Sequence, residues 1–383
     1  AHCVHDSVAE NPGISVKLSA LHPRYEVAQA DRVMAELVPR VTALAILAKA
    51  AGMGFNIDAE EADRLSLSLD VIGAVLREPA LAGWDGFGIV VQAYGLRAGM
   101  VIDHLHALAE DLDRKIMVRL VKGAYWDAEI KRAQVMGMDG FPVFTAKAHT
   151  DVSYIANAQK LLGMTDRIYP QFATHNAHTV AAILDLAGQL DRNPSDYEFQ
   201  RLHGMGDALY DTVIEKYRKN VRIYAPVGAH KDLLPYLVRR LLENGANSSF
   251  VHQLVDPRVP VETLIDHPVT QLRQFKTLGN HRIPLPPALY GNRTNSQGIN
   301  MNIQTQWNEL SSAYQTFLDR QWQAAPVIGG QTLTGSAHKV HCPYQLSQEV
   351  GTAQFATAEQ AKQAIDGLAA FWPRWNATLA CAC

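Results

Sequence analysis

Seven short apolar runs, each followed by a helix-period stretch, recur between residues 14 and 244 and restrict this chain to folds built from βα units. The spacing predicts strands over residues 14–18, 54–58, 88–93, 116–121, 168–173, 198–202 and 221–225. It predicts helices over 31–51, 60–78, 99–114, 127–136, 151–162, 177–187, 205–219 and 231–244. Pro170 and Gln171 make the fifth run an unusual central strand. Such units close into an eight-stranded barrel or lie open in a doubly wound sheet, and seven are one short of the barrel.

The ends of the runs decide between the two. Nearly every run finishes in a polar residue that is wasteful in a core: Lys17, Asp58, Gln92, Arg119 with Lys122, Thr174-His175-Asn176, Arg201 with His203, and Tyr224. In a barrel all C-terminal strand ends converge on one face, where the active sites of that fold lie. The expectation is an α/β chain, a TIM-like (βα)8 barrel lacking its first strand. The chain opens Ala-His-Cys without Met and stops at Leu-Ala-Cys-Ala-Cys, so both ends read as cut and the eighth strand is expected before residue 1.

Composition excludes several classes. At 383 residues and 48% hydrophobic, the chain can bury a large core. A formal charge of −3 with no Lys/Arg block gives no footprint for nucleic acid. No apolar run approaches the roughly 20 residues of a membrane span. Cys3, Cys342, Cys381 and Cys383 sit near the two ends, which suggests neither a disulfide framework nor a cysteine metal site and fits reducing cytosol.

The polar face sets Lys17, Arg119, Lys122, His175 and His203 against Asp58, so an anionic ligand is expected there. The stretch Arg119-Leu-Val-Lys-Gly-Ala-Tyr-Trp126, a strand running into a cation, a glycine and two aromatics, reads as the floor of a cofactor site. On the helix over 231–244, Tyr236, Arg239, Arg240 and Glu243 share one face. Two guanidinium forks beside a ring suit a small apolar acid. No GxGxxG follows a strand and no P-loop occurs. Asp58, His175, His178 and His203 could be assembled around a metal, but no HExxH or EF-hand loop accompanies them, so no metal is expected. A Schiff-base lysine at Lys17 or Lys122, as in an aldolase, is the rival enzyme reading. Gly204-Met205-Gly206 after a strand could bring backbone amides close to a phosphate, though it reads first as a plain turn.

GISVKLSALHPRYE (13–26), NIDAEEADRL (56–65), VVQAY (90–94), RLVKGAYWDAEIKRAQ (119–134), YPQFATHNAHT (169–179), FQRLHGMGDALY (199–210) and the stretch 222–250 occur in this order. Together they resemble the proline dehydrogenase domain of the bifunctional bacterial flavoenzymes of the proline utilization A family. The resemblance implies FAD-dependent oxidation of L-proline to Δ1-pyrroline-5-carboxylate. It gives Asp58 and Arg119 to the reacting centre, and Lys17, Tyr125, Leu202, Tyr224, Tyr236, Arg239 and Arg240 to the proline. It gives Gln92, Arg119, Val121, Lys122, Gly123, Trp126, Thr174, His175, Asn176 and Glu243 to the flavin, with Gly123 letting the backbone approach the cofactor.

The resemblance also implies electron transfer to a membrane quinone by a cytoplasmic protein held peripherally at the inner membrane, and a homo-oligomeric parent. DNA binding would lie in an N-terminal segment that this chain lacks. The expected organisation is a barrel over 1–255, a linker and helical connection over 256–322, and the incomplete beginning of an aldehyde dehydrogenase-like domain over 323–383. Within the tail, residues 283–290 read as a Pro-rich linker, 302–324 as helix, 327–334 as strand and turn, and 358–366 as an amphipathic helix. NAD-dependent oxidation of glutamate semialdehyde would belong to the part of the parent that is missing here. A non-catalytic, regulatory fragment is the remaining alternative.

Overall fold

Seven strands pair side by side in chain order, all parallel: β1 (Gly13–Val16), β2 (Gly54–Ile57), β3 (Phe87–Gln92), β4 (Ile116–Val121), β5 (Ile168–Ala173), β6 (Glu198–Leu202) and β7 (Val221–Tyr224). They belong to a computed structural model that describes residues 3–234, 236–238, 258, 260, 265–275, 277–318 and 320–378. Between the strands run α1 (Leu18–Leu21), α2 (Ala30–Ala50), α3 (Leu65–Leu76), α4 (Ala98–Asp111), α5 (Trp126–Met136), α6 (Lys147–Leu162), α7 (Ala177–Gln189) and α8 (Asp207–Tyr217). The chain divides into two units, Ala1–Ile303 and Gln304–Cys383.

The sheet is curled but open. Arg119 on β4 reaches Ser15 on β1 at 2.6 Å, and Tyr224 on β7 reaches Asp58 beyond β2 at 2.9 Å, so both ends of the sheet face the same interior. β1 and β7 end the strand order, and their outward residues Ile14 and Ile223 are 43% and 50% exposed. The barrel short of one strand is therefore what the chain forms. Arg222 on β7 ties the two ends together through the carbonyls of Asn11 (2.7 Å) and Ala9 (2.6 Å).

Alternation along the strands places polar residues inward and aromatics outward. Glu198 is 1% exposed and accepts hydrogen bonds from Gln171 (2.9 Å), Gln200 (2.7 Å) and Arg222 (2.7 Å). A buried carboxylate is tolerable only with such partners. On the opposite face Phe172 and Phe199 pack with Tyr197 and Tyr210 under the helices. Pro170 is accommodated in the sheet in register with Val118.

Several element bounds differ from expectation. The first strand stops at Val16, because Lys17 is the extended residue preceding α1 and Leu18 turns into that helix. α3 begins at Leu65 rather than residue 60, since Glu60 and Ala62 are held by other elements. α6 starts earlier, at Lys147, and α8 later, at Asp207, after Gly206 adopts φ 70°. The helix expected over 231–244 falls partly outside the described residues.

The segment expected to be linker lies on the first unit as a strap. Asn280 N donates to Thr145 Oγ1 (3.0 Å), Asn295 Nδ2 to the Gln134 carbonyl (2.7 Å) and Gly298 N to the Met136 carbonyl (2.7 Å). Asn300 Nδ2 donates to Asp63 (3.0 Å), and Ile283 packs on a cluster of Tyr94, Ile130 and Val143. Gly137 closes α5 at φ 60°, and a Cβ there would meet the Ser296 carbonyl oxygen at 2.0 Å.

In the second unit the helix expected over 302–324 spans Gln304–Leu318, and Trp322–Ala324 is instead a strand parallel to Gln345–Phe355. That long strand also pairs antiparallel with Ser336–Cys342. Val327–Ile328 and Gln331–Thr332 form the expected strand and turn. The final helix, Ala358–Asn376, runs well past residue 366 and starts in a capping box of Thr357 and Gln360.

Candidate active site at the strand ends

β3, β4 and β5 share one burial gradient: five buried residues, then a half-buried last one, Gln92, Val121 and Ala173. The sheet therefore opens at its C-terminal edge, and the chemistry-bearing side chains stand there. Arg119, 8% exposed, donates to Asp58 Oδ1 at 3.0 Å and to Ser15 at 2.6 Å. Asp58 Oδ2 accepts from Tyr224 at 2.9 Å, and the guanidinium lies 5.0 Å from the Tyr224 ring centre. Burial, and then the Asp58 charge, push the Tyr224 phenol well up, so it stays a neutral donor. Arg119 Nε is buried without a partner.

Lys17 donates to the Tyr125 hydroxyl at 2.5 Å and lies 5.2 Å from that ring's centre, joining β1 to the start of α5. Lys122 pairs with Asp151, which also holds Lys147 at 3.0 Å. Burial lowers the Lys122 pKa against the opposing pull of Asp151. Burial pushes Asp151 up, but the two ammonium groups together hold it below the usual carboxylate range.

Gly123 takes φ 132°, and a Cβ there would meet the Tyr94 ring at 2.6 Å. The glycine thus makes room for the Tyr94 ring. Trp126 Nε1 donates to the Phe144 carbonyl (2.7 Å), and Gln92 Nε2 to the Glu60 carbonyl (2.9 Å).

Across the mouth, the residues after β5 brace one another. Thr174 Oγ1 accepts from Asn176 N (3.2 Å), His175 Nε2 from Leu202 N (3.0 Å), and Asn176 caps α7 through Thr179 N (3.1 Å). Leu202 is the register partner of Tyr224, which brings both to the same rim. Tyr236 is half-buried and influences the Tyr224 phenol electrostatically. Arg239, Arg240 and Glu243 lie outside the described residues.

Two residues do not join the site. Arg201 points away to the Met205 carbonyl (3.2 Å) and Asp207 (2.6 Å), because its place in β6 faces the helices. His203 has an exposed side chain, and its backbone N–H donates to the Tyr224 carbonyl at 2.9 Å. Sequence reasoning missed Ser15, Glu60, Tyr94 and Asp151. Ser15 was findable as the inward residue two before Lys17; the other three are brought in by tertiary contacts that carry no local signal.

Residues 1–253 match the family model described as proline dehydrogenase. The chain belongs to the proline dehydrogenase family. It is 49% identical over 383 residues to the bifunctional protein PutA of Escherichia coli (strain K12), covering 97% of this chain and 29% of that protein. To the bifunctional protein PutA of Rhizobium meliloti it is 52% identical over 351 residues, covering 90% and 28%. A solved structure of a Bradyrhizobium japonicum proline utilization A (PutA) variant matches with a TM-score of 0.81 at 48% identity, covering 99% of this chain and 35% of that one. The chain thus spans less than a third of the length of these two curated relatives.

Proposed function

We propose that the first unit oxidises L-proline to Δ1-pyrroline-5-carboxylate with FAD. The observation that carries this reading is the Arg119–Asp58–Tyr224 cluster at the open strand ends of a chain in the proline dehydrogenase family. The mouth fits a flavin: a ring rich in acceptor atoms would answer the unpartnered Arg119 Nε, with Lys122 as a further cation and half-buried Val121 and Trp126 beside it. FAD when bound supplies the two-electron acceptor.

The residues of the chain supply orientation and charge. Lys17, with Arg239 and Arg240, is proposed to take the proline carboxylate, while Tyr125, Leu202, Tyr224 and Tyr236 wall its ring. Held this way, the substrate loses a hydride from C5 and a proton from nitrogen, leaving the imine. Arg119, fixed by Asp58 and Ser15, presents a preorganised cation where negative charge develops. Gln92, Gly123, Thr174, His175, Asn176 and Glu243 are proposed to line the cofactor.

For the whole protein we propose electron transfer to a membrane quinone, peripheral membrane association, NAD-dependent oxidation of glutamate semialdehyde and homo-oligomer formation, with any DNA binding in a separate segment. Among the described residues no helix is long and apolar enough to cross a membrane. The proposed functional division is barrel 1–255, connection 256–322 and aldehyde dehydrogenase-like start 323–383. The lowered pKa of Lys122 favours the rival aldolase reading, but its pairing with Asp151 opposes a free amine. The test is the absorption spectrum of the purified full-length protein. A flavin band that bleaches anaerobically with L-proline supports dehydrogenation, whereas a colourless protein trapped covalently by borohydride and its substrate would refute it.

A further inference from the structure

Glu129 is 2% exposed, a carboxylate turned into the core from the first turn of α5. Such a group is costly to bury, and burial raises its pKa; the Ala62 N–H opposes this, Asp63 and Glu61 add to it, and Arg132 offsets part. Its hydrogen bond is to the Ala62 backbone N–H, at 2.6 Å. Ala62 lies four residues beyond Asp58, in the loop between β2 and α3.

The same loop is gripped from other sides. The Glu60 carboxylate accepts from Ser19 N (3.0 Å) and Ser19 Oγ, and the Glu60 carbonyl accepts from Gln92 (2.9 Å). Arg97 donates to the Ala62 carbonyl at 2.6 Å, and Arg132 and Asn300 hold Asp63. Glu129 and Arg132 both come from α5, the helix whose beginning carries Tyr125 and Trp126, and Glu129 is the buried one of the two, the Arg132 side chain being 42% exposed.

We propose that Glu129 is a positioning residue that locks the Asp58 loop to α5, fixing Asp58 against Arg119 and Tyr224. The inference rests on the reading of the mouth as a proline dehydrogenase site. A carboxylate or a carboxylic acid can each accept the Ala62 N–H, and so can a glutamine amide oxygen; a methionine of similar length offers no comparable acceptor. The lock is therefore kept by Glu129→Gln and lost in Glu129→Met.

The test uses the full-length protein with two readouts. Hydrogen exchange over residues 58–64 should rise at least tenfold in Glu129→Met and stay at the wild-type rate in Glu129→Gln. The limiting rate of flavin reduction by L-proline should fall about tenfold in Glu129→Met with flavin content retained, and stay within about twofold in Glu129→Gln. Unchanged exchange in Glu129→Met overturns the lock, as does a Gln variant as impaired as the Met variant. If Glu129→Met fails to fold, exchange of the wild-type Ala62 amide, the group that Glu129 holds, decides: exchange there as fast as at a freely exposed loop amide overturns the proposal. A wild-type flavin that proline does not bleach counts against the dehydrogenase reading instead, and the exchange result still judges the lock.

Discussion

Tyr224 Oη donates to Asp58 Oδ2 at 2.9 Å, linking the last strand of the open sheet to the end of the second. Because the Arg119 guanidinium holds the other Asp58 oxygen at 3.0 Å, one carboxylate fixes both a cation and a ring. Tyr224→Phe keeps the ring and removes the bond. It should cost about 1 kcal/mol of stability, read by urea unfolding, and slow flavin reduction by proline several-fold because Asp58 loses one of its two anchors.

Gly123→Ala should be more damaging than its size suggests. The residue sits at φ 132° and the added methyl would meet the Tyr94 ring at 2.6 Å. A loss of about 1–3 kcal/mol is expected, together with reduced flavin content, measured by thermal unfolding and the ratio of flavin to protein absorbance.

High pH should unfold the chain through its buried phenols. Burial raises the pKa of Tyr25, Tyr94, Tyr154, Tyr169, Tyr210 and Tyr224, and pushes Tyr197 up to about 12. With folded values above the ordinary 10.0, their contribution is fully present below pH 10.0 and is lost as pH rises through the folded values. Urea midpoints should thus fall steeply above about pH 10, with phenolate absorbance rising in step with unfolding.

Arg240→Ala should raise the proline concentration needed for half-maximal rate far more than it changes flavin content. Equal proline affinity in that variant would remove Arg240 from the carboxylate clamp.

The bounds of β4, β5 and β6 were legible to the residue, since each is a short run set between polar or glycine-bearing loop segments. The convergence of Lys17, Asp58, Arg119 and Tyr224 was legible too, because parallel strands of one barrel end on one face. Arg201 was misread because its neighbours Gln200 and Leu202 occupy the inward positions, leaving it with the helices. Asp151 was invisible as a site residue: it reads as an ordinary residue of a helical pattern, and only the packing of α6 against β4 brings it to Lys122. The loop after Asp58 read as helix from residue 60 because its composition suits one, but its backbone groups are claimed by Gln92, Arg97 and Glu129 instead.

The strap from Asn280 to Asn300 sets how short an independently folding piece can be. α5, which begins with Trp126, has its last carbonyls answered by Asn295 and Gly298, and the greasy patch under it is roofed by Ile283. A protein shortened to residues 1–255 would leave Tyr94, Ile130 and Val143 open to water on that side and the end of α5 without those donors. A piece cut at residue 255 is therefore expected to be less stable than one cut at the unit boundary, Ile303, even though the family match ends at residue 253.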